Sequence, residues 1–357
     1  MSTPQVGSSS SDSRSPPSLL KQVGSLVAAS VLTGVLYVIT GYLETPSSTP
    51  KFIGLTNVFT IILAVNLIGW LISSWQKTEK YYDLIGSGSY IIGTIYTLFR
   101  SKLFYDWSST LWFRQLLISS LCLIWAIRLG SFLVARVFRH GEDRRFRAVK
   151  GHPLTFLPYW VGQVMWITLV GMPIYLVNLQ AKTATIAVND ILHNNLRDAV
   201  GVNGFTIGLA LFIVGFYLEA RADHEKSVFK HQKQSGKTST PWIDTGLWST
   251  SRHPNYLGEI MMWSGIATFA LDSLPSSLPL TIACLSSPFF LTLLLTCASG
   301  IPILESQAQK DWGDDPRYQA YVARTGVLLP YPIESTLRRV FPFIPTGIPR
   351  SQGKKSE

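Results

Sequence analysis

The sequence predicts an all-α membrane protein, a polytopic helical bundle of about eight (seven to nine) transmembrane helices with no Rossmann domain. Hydrophobic residues make up 47% of the 357 residues, and Lys, Arg, Asp and Glu only 15%, against about 25% in soluble domains. The apolar residues are concentrated in runs close to the roughly 20 residues of a membrane-spanning helix. The sequence has no strand-like alternation and no GxGxxG motif opening a strand–helix unit, which excludes a Rossmann domain.

Eight apolar runs are the predicted spans. The third and the sixth are short, so we expect them to be tilted or discontinuous. Pro173, Pro288 and Pro302 mark kinks or helix ends, which membrane bundles tolerate. The predicted spans are residues 23–43, 52–75, 84–99, 116–135, 156–177, 204–218, 257–274 and 279–301.

Four regions follow from these runs. Residues 1–18 contain eight serines and three prolines, a composition that predicts a disordered tail. Residues 19–80 hold the N-terminal transmembrane helices. Residues 81–330 form the membrane domain that carries the polar motifs, and residues 331–357 form a basic C-terminal tail.

The distribution of Lys and Arg predicts the topology. Eight spans place both termini on one side, where the connecting segments hold 24 basic residues, against 6 in the opposite loops. Basic residues are enriched in cytoplasmic loops, so both termini are predicted to be cytoplasmic, in an integral membrane protein of the endoplasmic reticulum. This topology also explains the net charge of +10 better than nucleic-acid binding does.

Several protein classes are disfavoured. Cys122, Cys284 and Cys297 lie in apolar runs without a CxxC pair, which supports neither a disulfide framework nor a zinc cluster. The histidines lack HxxxH or HxxHH spacing and the chain lacks a GxSxG elbow. We therefore predict no metal site and no serine-hydrolase site.

The first polar stretch is the arginine-rich loop 136–147, which includes Asp143, Arg144 and Arg145. One interpretation is a cytoplasmic loop that contacts anionic headgroups. The other is a site for a polyanionic cofactor, because guanidinium groups bind phosphate oxygens in a bidentate manner. Asp143 would then pair with an arginine or accept a hydrogen bond from the ligand.

The second polar stretch, residues 219–230, continues directly from an apolar span. Helical spacing places Glu219, Asp223, Lys226 and Lys230 on one face. This face is either a solvated helix end or a polar wall, whose acids bind ribose or amide groups and whose lysines bind phosphate.

The third stretch, residues 246–259, gives the strongest signal. Pro254 is suited to the first position of a helix, whose free N–H groups favour anions. Arg252 and His253, next to Pro254, form a candidate binding site for a phosphate or carboxylate group. Asn255 and Glu259 lie one turn apart, and an ionisable residue in an apolar run is a functional candidate by default. The alternative is that Glu259 pairs with a neighbouring helix.

Other ionisable residues lie at or within spans. Arg128 and Glu305 are candidate partners of each other or of Glu259. Asp83, next to Tyr82, is predicted to cap a helix, with a proton-relay role as the alternative.

Five ordered motifs resemble one family. They are GLWSTSRHPNYLGE (246–259), RHGEDRRF (139–146), EARADHEKSVF (219–229), SGIPILE (299–305) and PRYQAYVARTGVLLP (316–330). Together they resemble the steroid 5-alpha-reductase superfamily, in its uncharacterised branch with a reductase-like C-terminal domain. The resemblance covers about residues 81–330. The RHPNY segment by itself is also similar to isoprenylcysteine-type membrane methyltransferases.

The resemblance implies an all-helical membrane enzyme that binds NADPH from the cytosolic side and reduces a carbon–carbon double bond of a steroid, sterol or other lipid. It places Asn255, Glu259 and Asp223 near the cofactor. Glu305 departs from the histidine of the best-known steroid reductases and is more similar to the methyltransferases. Tyr82 and Asp83 are candidates for the tyrosine–acid pair that polarises a substrate ketone.

An NADPH-dependent reductase acting on an apolar lipid is therefore the leading expectation, with membrane lipids as partners and without nucleic acid. An S-adenosylmethionine-dependent methyltransferase and a non-catalytic lipid-binding protein are the alternatives. The predicted catalytic residues are Glu259, Tyr256, Tyr82 and Asp83. The predicted cofactor-binding residues are Arg144, Arg145, Asp143, Glu219, Asp223, Lys226, Arg252, His253, Asn255, Glu259, Glu305, Tyr318 and Tyr321.

Overall fold

The computed structural model of the chain describes residues 17–44, 54–101, 110–140, 143, 146–180 and 203–340. Most of the predicted Ser/Pro-rich tail lies outside the described residues, as do residues 341–357 of the predicted basic tail and both Arg144 and Arg145. The described residues form the α-helices α1 (Leu19–Glu44), α2 (Leu55–Trp75), α3 (Tyr82–Arg100), α4 (Thr110–His140), α5 (Pro153–Leu179), α6 (Gly204–Gln234), α7 (Pro254–Ser273), α8 (Leu278–Leu293), α9 (Ile301–Trp312), α10 (Pro316–Arg324) and α11 (Tyr331–Val340).

The prediction of an all-α polytopic membrane bundle is confirmed. Each of the eight predicted spans coincides with one of the helices α1 to α8. Among the described residues, six helical segments are long and apolar enough to cross a membrane, and α3 and α7 are not among them. The six are Leu19–Glu44, Leu55–Trp75, Leu111–Ala135, Pro153–Leu179, Gly204–Gln234 and Leu278–Trp312.

Helix α5 lies at the centre of the bundle. It is buried over 78% of its most apolar stretch, whereas the other five segments are buried over 17–33% of theirs. It packs against α1, α2, α3 and α8. The remaining helices therefore turn apolar faces outward, as expected of a bundle that is surrounded by lipid.

Two of the last predicted spans have helix ends that the hydropathy pattern did not predict. The predicted sixth span, 204–218, continues as one helix through residue 234, so the second polar stretch is helical. The predicted last span ends in a π-helical turn at Leu294–Ala298, and α9 begins anew at Ile301 with Pro302 in its first turn. Pro302, predicted with Pro173 and Pro288 to mark a kink or a helix end, lies in the first turn of a new helix, while Pro173 and Pro288 lie inside helices.

Four glycines set the spacing of α6 and α7, which pack more extensively than any other pair of described helices. A Cβ atom added to Gly208 would lie 2.6 Å from the carbonyl oxygen of Gly265, and one added to Gly215 would lie 2.5 Å from that of Gly258. The reciprocal distances are 2.5 Å for Gly265 and 2.6 Å for Gly258. Small residues permit such backbone contact in membrane bundles, and here the contact fixes the second and third polar stretches side by side.

The segment after α9 folds back onto the start of α7. Ser251 and Gly326 form a parallel β-bridge. The backbone N–H groups of Arg252 and His253 donate to the carbonyl oxygens of Gly326 (2.9 Å) and Val327 (3.1 Å). The residues that lead into α7 are therefore held in place by a segment about 70 residues away in the chain.

Candidate functional site

An arginine and two acids form the centre of the candidate site. The guanidinium of Arg128 on α4 forms ion pairs with Glu219 and with Asp223 on α6, the latter at 3.2 Å between Nη1 and Oδ2. The indole N–H of Trp125 donates to Oε2 of Glu219 at 3.2 Å. The sequence left the partner of Arg128 open between Glu305 and Glu259, and among the described residues its ion pairs are instead with Glu219 and Asp223. We refer to Arg128, Glu219 and Asp223 as the acid–arginine cluster.

Glu259 and Asn255 on α7 complete the site. Glu259 interacts electrostatically with Glu219, Asp223 and Arg128, so the acids of two predicted motifs meet at one place. Both Glu259 and Asn255 are half-buried, and neither side chain has a hydrogen bond within the described part of the chain. Three carboxyl groups therefore share one guanidinium, and Glu259 and Asn255 retain donors and acceptors for a ligand.

Aromatic side chains form the inner wall of this site. Tyr90 contacts Trp125, Trp166 and Trp263 at ring-centroid distances of 5.1, 5.1 and 5.7 Å. Trp263 contacts Trp125 edge-on at 4.9 Å. Along α7 from its N-terminus, the site thus changes from acidic groups to a buried aromatic cluster.

Arg252 and His253 do bind a carboxylate, but it is one of the protein's own. Nε and Nη2 of Arg252 contact the carboxylate of Glu305 at 3.2 and 3.0 Å, and Nε2 of His253 lies 2.8 Å from it. Nη1 of Arg252 also donates to the carbonyl oxygens of Thr325 (2.7 Å) and Val322 (3.2 Å). These contacts join α7, α9 and α10, which indicates a structural use of Arg252.

His253 is buried in this bridge. Burial lowers the pKa of His253 below its ordinary 6.5, although its hydrogen bond to Glu305 acts in the opposite direction. A neutral imidazole donates its Nε2–H to the Glu305 carboxylate. Its ring stacks on Tyr256, with centroids 5.5 Å apart and planes 7° from parallel, so the predicted catalytic Tyr256 contacts the same bridge.

Other predicted cofactor residues contact the segment 242–248, which precedes α7. Nζ of Lys226 lies 4.6 Å from the centre of the Trp248 ring. The hydroxyl of Tyr321 donates to the backbone oxygen of Trp248 at 2.8 Å. Tyr318 packs on Trp242, and burial raises its pKa to about 12. The two tyrosines thus anchor α10.

Tyr82 and Asp83 belong to a different part of the molecule. The hydroxyl of Tyr82 donates to the backbone oxygen of Tyr159 at 2.9 Å, and its ring packs on Phe146 and Trp160. The predicted N-cap at Asp83 is wrong, because α3 already begins at Tyr82 after Tyr81. Asp83 lies in the first turn instead, where its charge complements the helix dipole.

The arginine-rich loop is attached through an acid that the sequence analysis missed. Glu79, 4% exposed, accepts the backbone N–H of Asp143 at 2.9 Å and contacts Nζ of Lys150 at 3.0 Å. The predicted phosphate ligands Arg144 and Arg145 lie outside the described residues. Glu79 does not belong to a recognisable motif. In the sequence, the only indication of its role was an acidic residue close to the end of a predicted span.

A separate groove lies on the opposite face of α6 from Asp223. It encloses about 310 Å³ and is lined by Arg221, His224, Glu225, Val228, Phe229, Gln232, Ile243, Thr245 and Gly246. Glu225 is engaged there by Nε of Arg221 at 2.9 Å and by the N–H of Leu247 at 3.0 Å. None of the predicted site residues lines this groove.

The fold and this site define a polytopic helical membrane protein with a polar, acid-rich site among its helices. Residues 69–325 match the family model described as "Protein of unknown function (DUF1295)". The chain belongs to this family.

One curated relative is an uncharacterized protein, C594.04c, of Schizosaccharomyces pombe (strain 972 / ATCC 24843). The two are 25% identical over 260 residues, which cover 64% of this chain and 69% of that protein. No solved structure matches the chain.

Proposed function

We propose that this protein is a membrane-embedded, NADPH-dependent reductase of a carbon–carbon double bond in a steroid, sterol or other apolar lipid. The observation that carries the proposal is the interaction of Glu259 with the acid–arginine cluster, with Asn255 one helical turn before Glu259 on α7 and the buried aromatic wall joined to the cluster by the hydrogen bond from Trp125 to Glu219. Such a boundary between polar and apolar side chains suits a reaction between a polar cofactor and an apolar substrate. We further propose that the site faces the cytoplasm, with both termini, in the endoplasmic reticulum.

The available groups suit the nicotinamide and ribose end of the cofactor. The carboxamide of Asn255 and the carboxyl group of Glu259 provide a donor and acceptors without partners among the described residues, complementary to an amide or a hydroxyl. The phosphates require cations, which the sequence places on the arginine-rich loop held by Glu79. Arg252 is not assigned to phosphate here, because Glu305 already occupies its guanidinium.

Asn255 and Glu259 would hold the nicotinamide end of NADPH, which when bound would supply the hydride for one carbon of the double bond, and the protein must deliver a proton to the other carbon. In this proposal Glu259 donates that proton as a general acid, because it is the one carboxyl group of the three without a hydrogen bond to any described residue. Arg128 holds Glu219 and Asp223 in place. The aromatic wall excludes water, which strengthens electrostatic interactions inside the site.

The test is NADPH binding to the purified full-length protein in lipid nanodiscs. We expect saturable binding to the wild type and a loss of at least tenfold in affinity for Asn255→Ala combined with Glu259→Ala. Gln232→Ala is the matched control, because Gln232 is an exposed residue on the far side of α6. Equal binding by wild type and the double variant, or no binding by either, would contradict the proposal.

A methyltransferase is the second candidate. The specific observation in its favour is the excess of carboxyl groups, three to one guanidinium, which favours a cationic ligand such as the sulfonium of S-adenosylmethionine. Thermal shifts with S-adenosylmethionine and NADPH separate the two functions. Stabilisation by NADPH without turnover of any enone lipid would instead favour the non-catalytic lipid-binding alternative.

A further inference from the structure

Trp125 and Trp263, two neighbouring tryptophans of the aromatic wall, differ in whether the indole N–H has a hydrogen-bond acceptor. The indole N–H of Trp125 donates to Glu219 at 3.2 Å. The indole N–H of Trp263 has no hydrogen-bond partner among the described residues, although the side chain is only 2% exposed. The two rings contact each other edge-on at 4.9 Å, so both donors lie in the same buried cluster.

The location of Trp263 connects this free donor to the candidate site. Trp263 follows Glu259 by four residues on α7, so it lies one helical turn, about 6 Å, deeper on the same face. Its ring packs on Tyr90 at 5.7 Å. Tyr90 is itself engaged, because its hydroxyl lies 3.4 Å from the backbone oxygen of Trp166.

A buried donor without an acceptor is unfavourable, and more so in a bilayer interior, where water does not replace the missing partner. Tyr175, in the same hydrophobic cluster, presents a second such group, because its fully buried hydroxyl also has no hydrogen-bond partner within the described ranges of the chain. Sites that keep unpaired polar groups discriminate strongly for ligands that pair with them. The hydrophobic cluster around the aromatic wall therefore contains hydrogen-bond donors to which a ligand can offer an acceptor.

We propose that the indole N–H of Trp263 is the hydrogen-bond donor for an oxygen of an apolar ligand bound inside the bundle. The identification of this ligand as the substrate rests on the proposed function. An indole only donates, so the ligand must present an acceptor. The ligand class is an otherwise apolar, membrane-soluble molecule with a ketone or similar oxygen, and a pure hydrocarbon of the same shape is disfavoured.

The experiment compares two ligands and two variants in nanodiscs. Androst-4-en-3-one and androst-4-ene share a ring system and differ in the ketone oxygen. Trp263→Phe removes the free donor and keeps an aromatic ring, and Trp125→Phe is the matched control at the neighbouring, satisfied donor. Affinities for both steroids, the melting temperature without ligand and NADPH binding are measured for every form of the full-length protein.

We expect Trp263→Phe to bind the ketone about tenfold more weakly and the hydrocarbon equally well, since one hydrogen bond is lost. Both exchanges remove ring volume from a buried cluster and lower the melting temperature of the ligand-free protein, but Trp263→Phe should lower it by less than Trp125→Phe, because only Trp125→Phe also removes a donor from Glu219. The affinity ratio of the two steroids should be unchanged in Trp125→Phe.

Three results would overturn the inference: an unchanged steroid affinity ratio in Trp263→Phe, a fall in its melting temperature as large as that of Trp125→Phe, or no steroid binding by the wild type. NADPH binding is an independent readout. An unchanged ratio with normal NADPH binding removes the ligand inference alone, and absent NADPH binding removes the proposed function.

Discussion

Arg128 is the residue on which the geometry of the candidate site depends. Its two terminal nitrogens contact carboxylates one helical turn apart on α6, Glu219 and Asp223. Two like charges at this spacing repel each other, and the planar guanidinium bridges both. A point charge at the same position reaches only one of them at full strength.

The exchange Arg128→Lys tests this bridging. We expect the free energy of unfolding to fall by about 2 kcal/mol, because one of two largely buried carboxylates loses its partner, and NADPH affinity to fall with it. Arg221→Lys is the matched control: it breaks a pair with Glu225 on the same helix, but its side chain is 52% exposed, so a change within about 0.5 kcal/mol is expected. Thermal unfolding in nanodiscs gives the comparison, and equal effects of the two exchanges would contradict the bridging role.

At the scale of elements, the position of the acids depends on how closely α6 and α7 approach. Gly215 on α6 precedes Glu219 by one turn, and Gly258 directly precedes Glu259. A methyl group at Gly215 would meet the Gly258 carbonyl oxygen at 2.5 Å, a distance that forces the helices apart. Because the site is divided between these two helices, separating them also separates its carboxyl groups.

We therefore expect Gly215→Ala to lower the melting temperature by several degrees and to weaken NADPH binding, since overpacking costs about 1–3 kcal/mol. The matched control is Gly34→Ala on α1, where nothing lies within 4 Å of an added Cβ. That exchange should be neutral or stabilising by up to about 1 kcal/mol, because alanine favours helix. Similar melting temperatures for both variants would show that the glycine contact does not set the helix spacing.

The sequence was sufficient to locate the helices, but not to predict which charged side chains pair with each other. Hydropathy located every helix from α1 to α8, because the cost of placing polar backbone in lipid acts locally on each segment. The assignment of Arg128 to Glu219 and Asp223, and of Glu305 to Arg252, depended on contacts between residues 53 to 95 positions apart. The seven-residue spacing of Gly208 with Gly215 and of Gly258 with Gly265 was a visible signal for the α6–α7 contact that the sequence analysis left unused.

At the scale of the whole molecule, the topology depends on whether α3 and α7 cross the membrane, because both have the length of a span (19 and 20 residues) but neither is among the helices with the hydropathy of one. Helix α7 lies beside α4, which is among those helices. Arg114 near the start of α4 contacts Asp272 at 3.0 Å, while Arg128, fourteen residues further along α4, is near Glu259. Helix α7 therefore extends alongside α4 over about 20 Å. Because the glycine face of α7 is buried against α6, α7 can cross the membrane with a lower hydropathy than a helix that faces lipid.

This arrangement predicts that residues before and after α7 lie on opposite sides of the membrane. In a Cys297→Ser background, which removes the exposed native thiol, we introduce Lys237→Cys and Ser276→Cys at two exposed positions. In sealed microsomes a membrane-impermeant maleimide should label position 237 at once and position 276 only after permeabilisation, since basic loops face the cytoplasm. Labelling of both positions in sealed microsomes would mean that α7 returns to the side on which it started. In that case an odd number of crossings would separate the termini, and the cytoplasmic assignment of both would fail along with it.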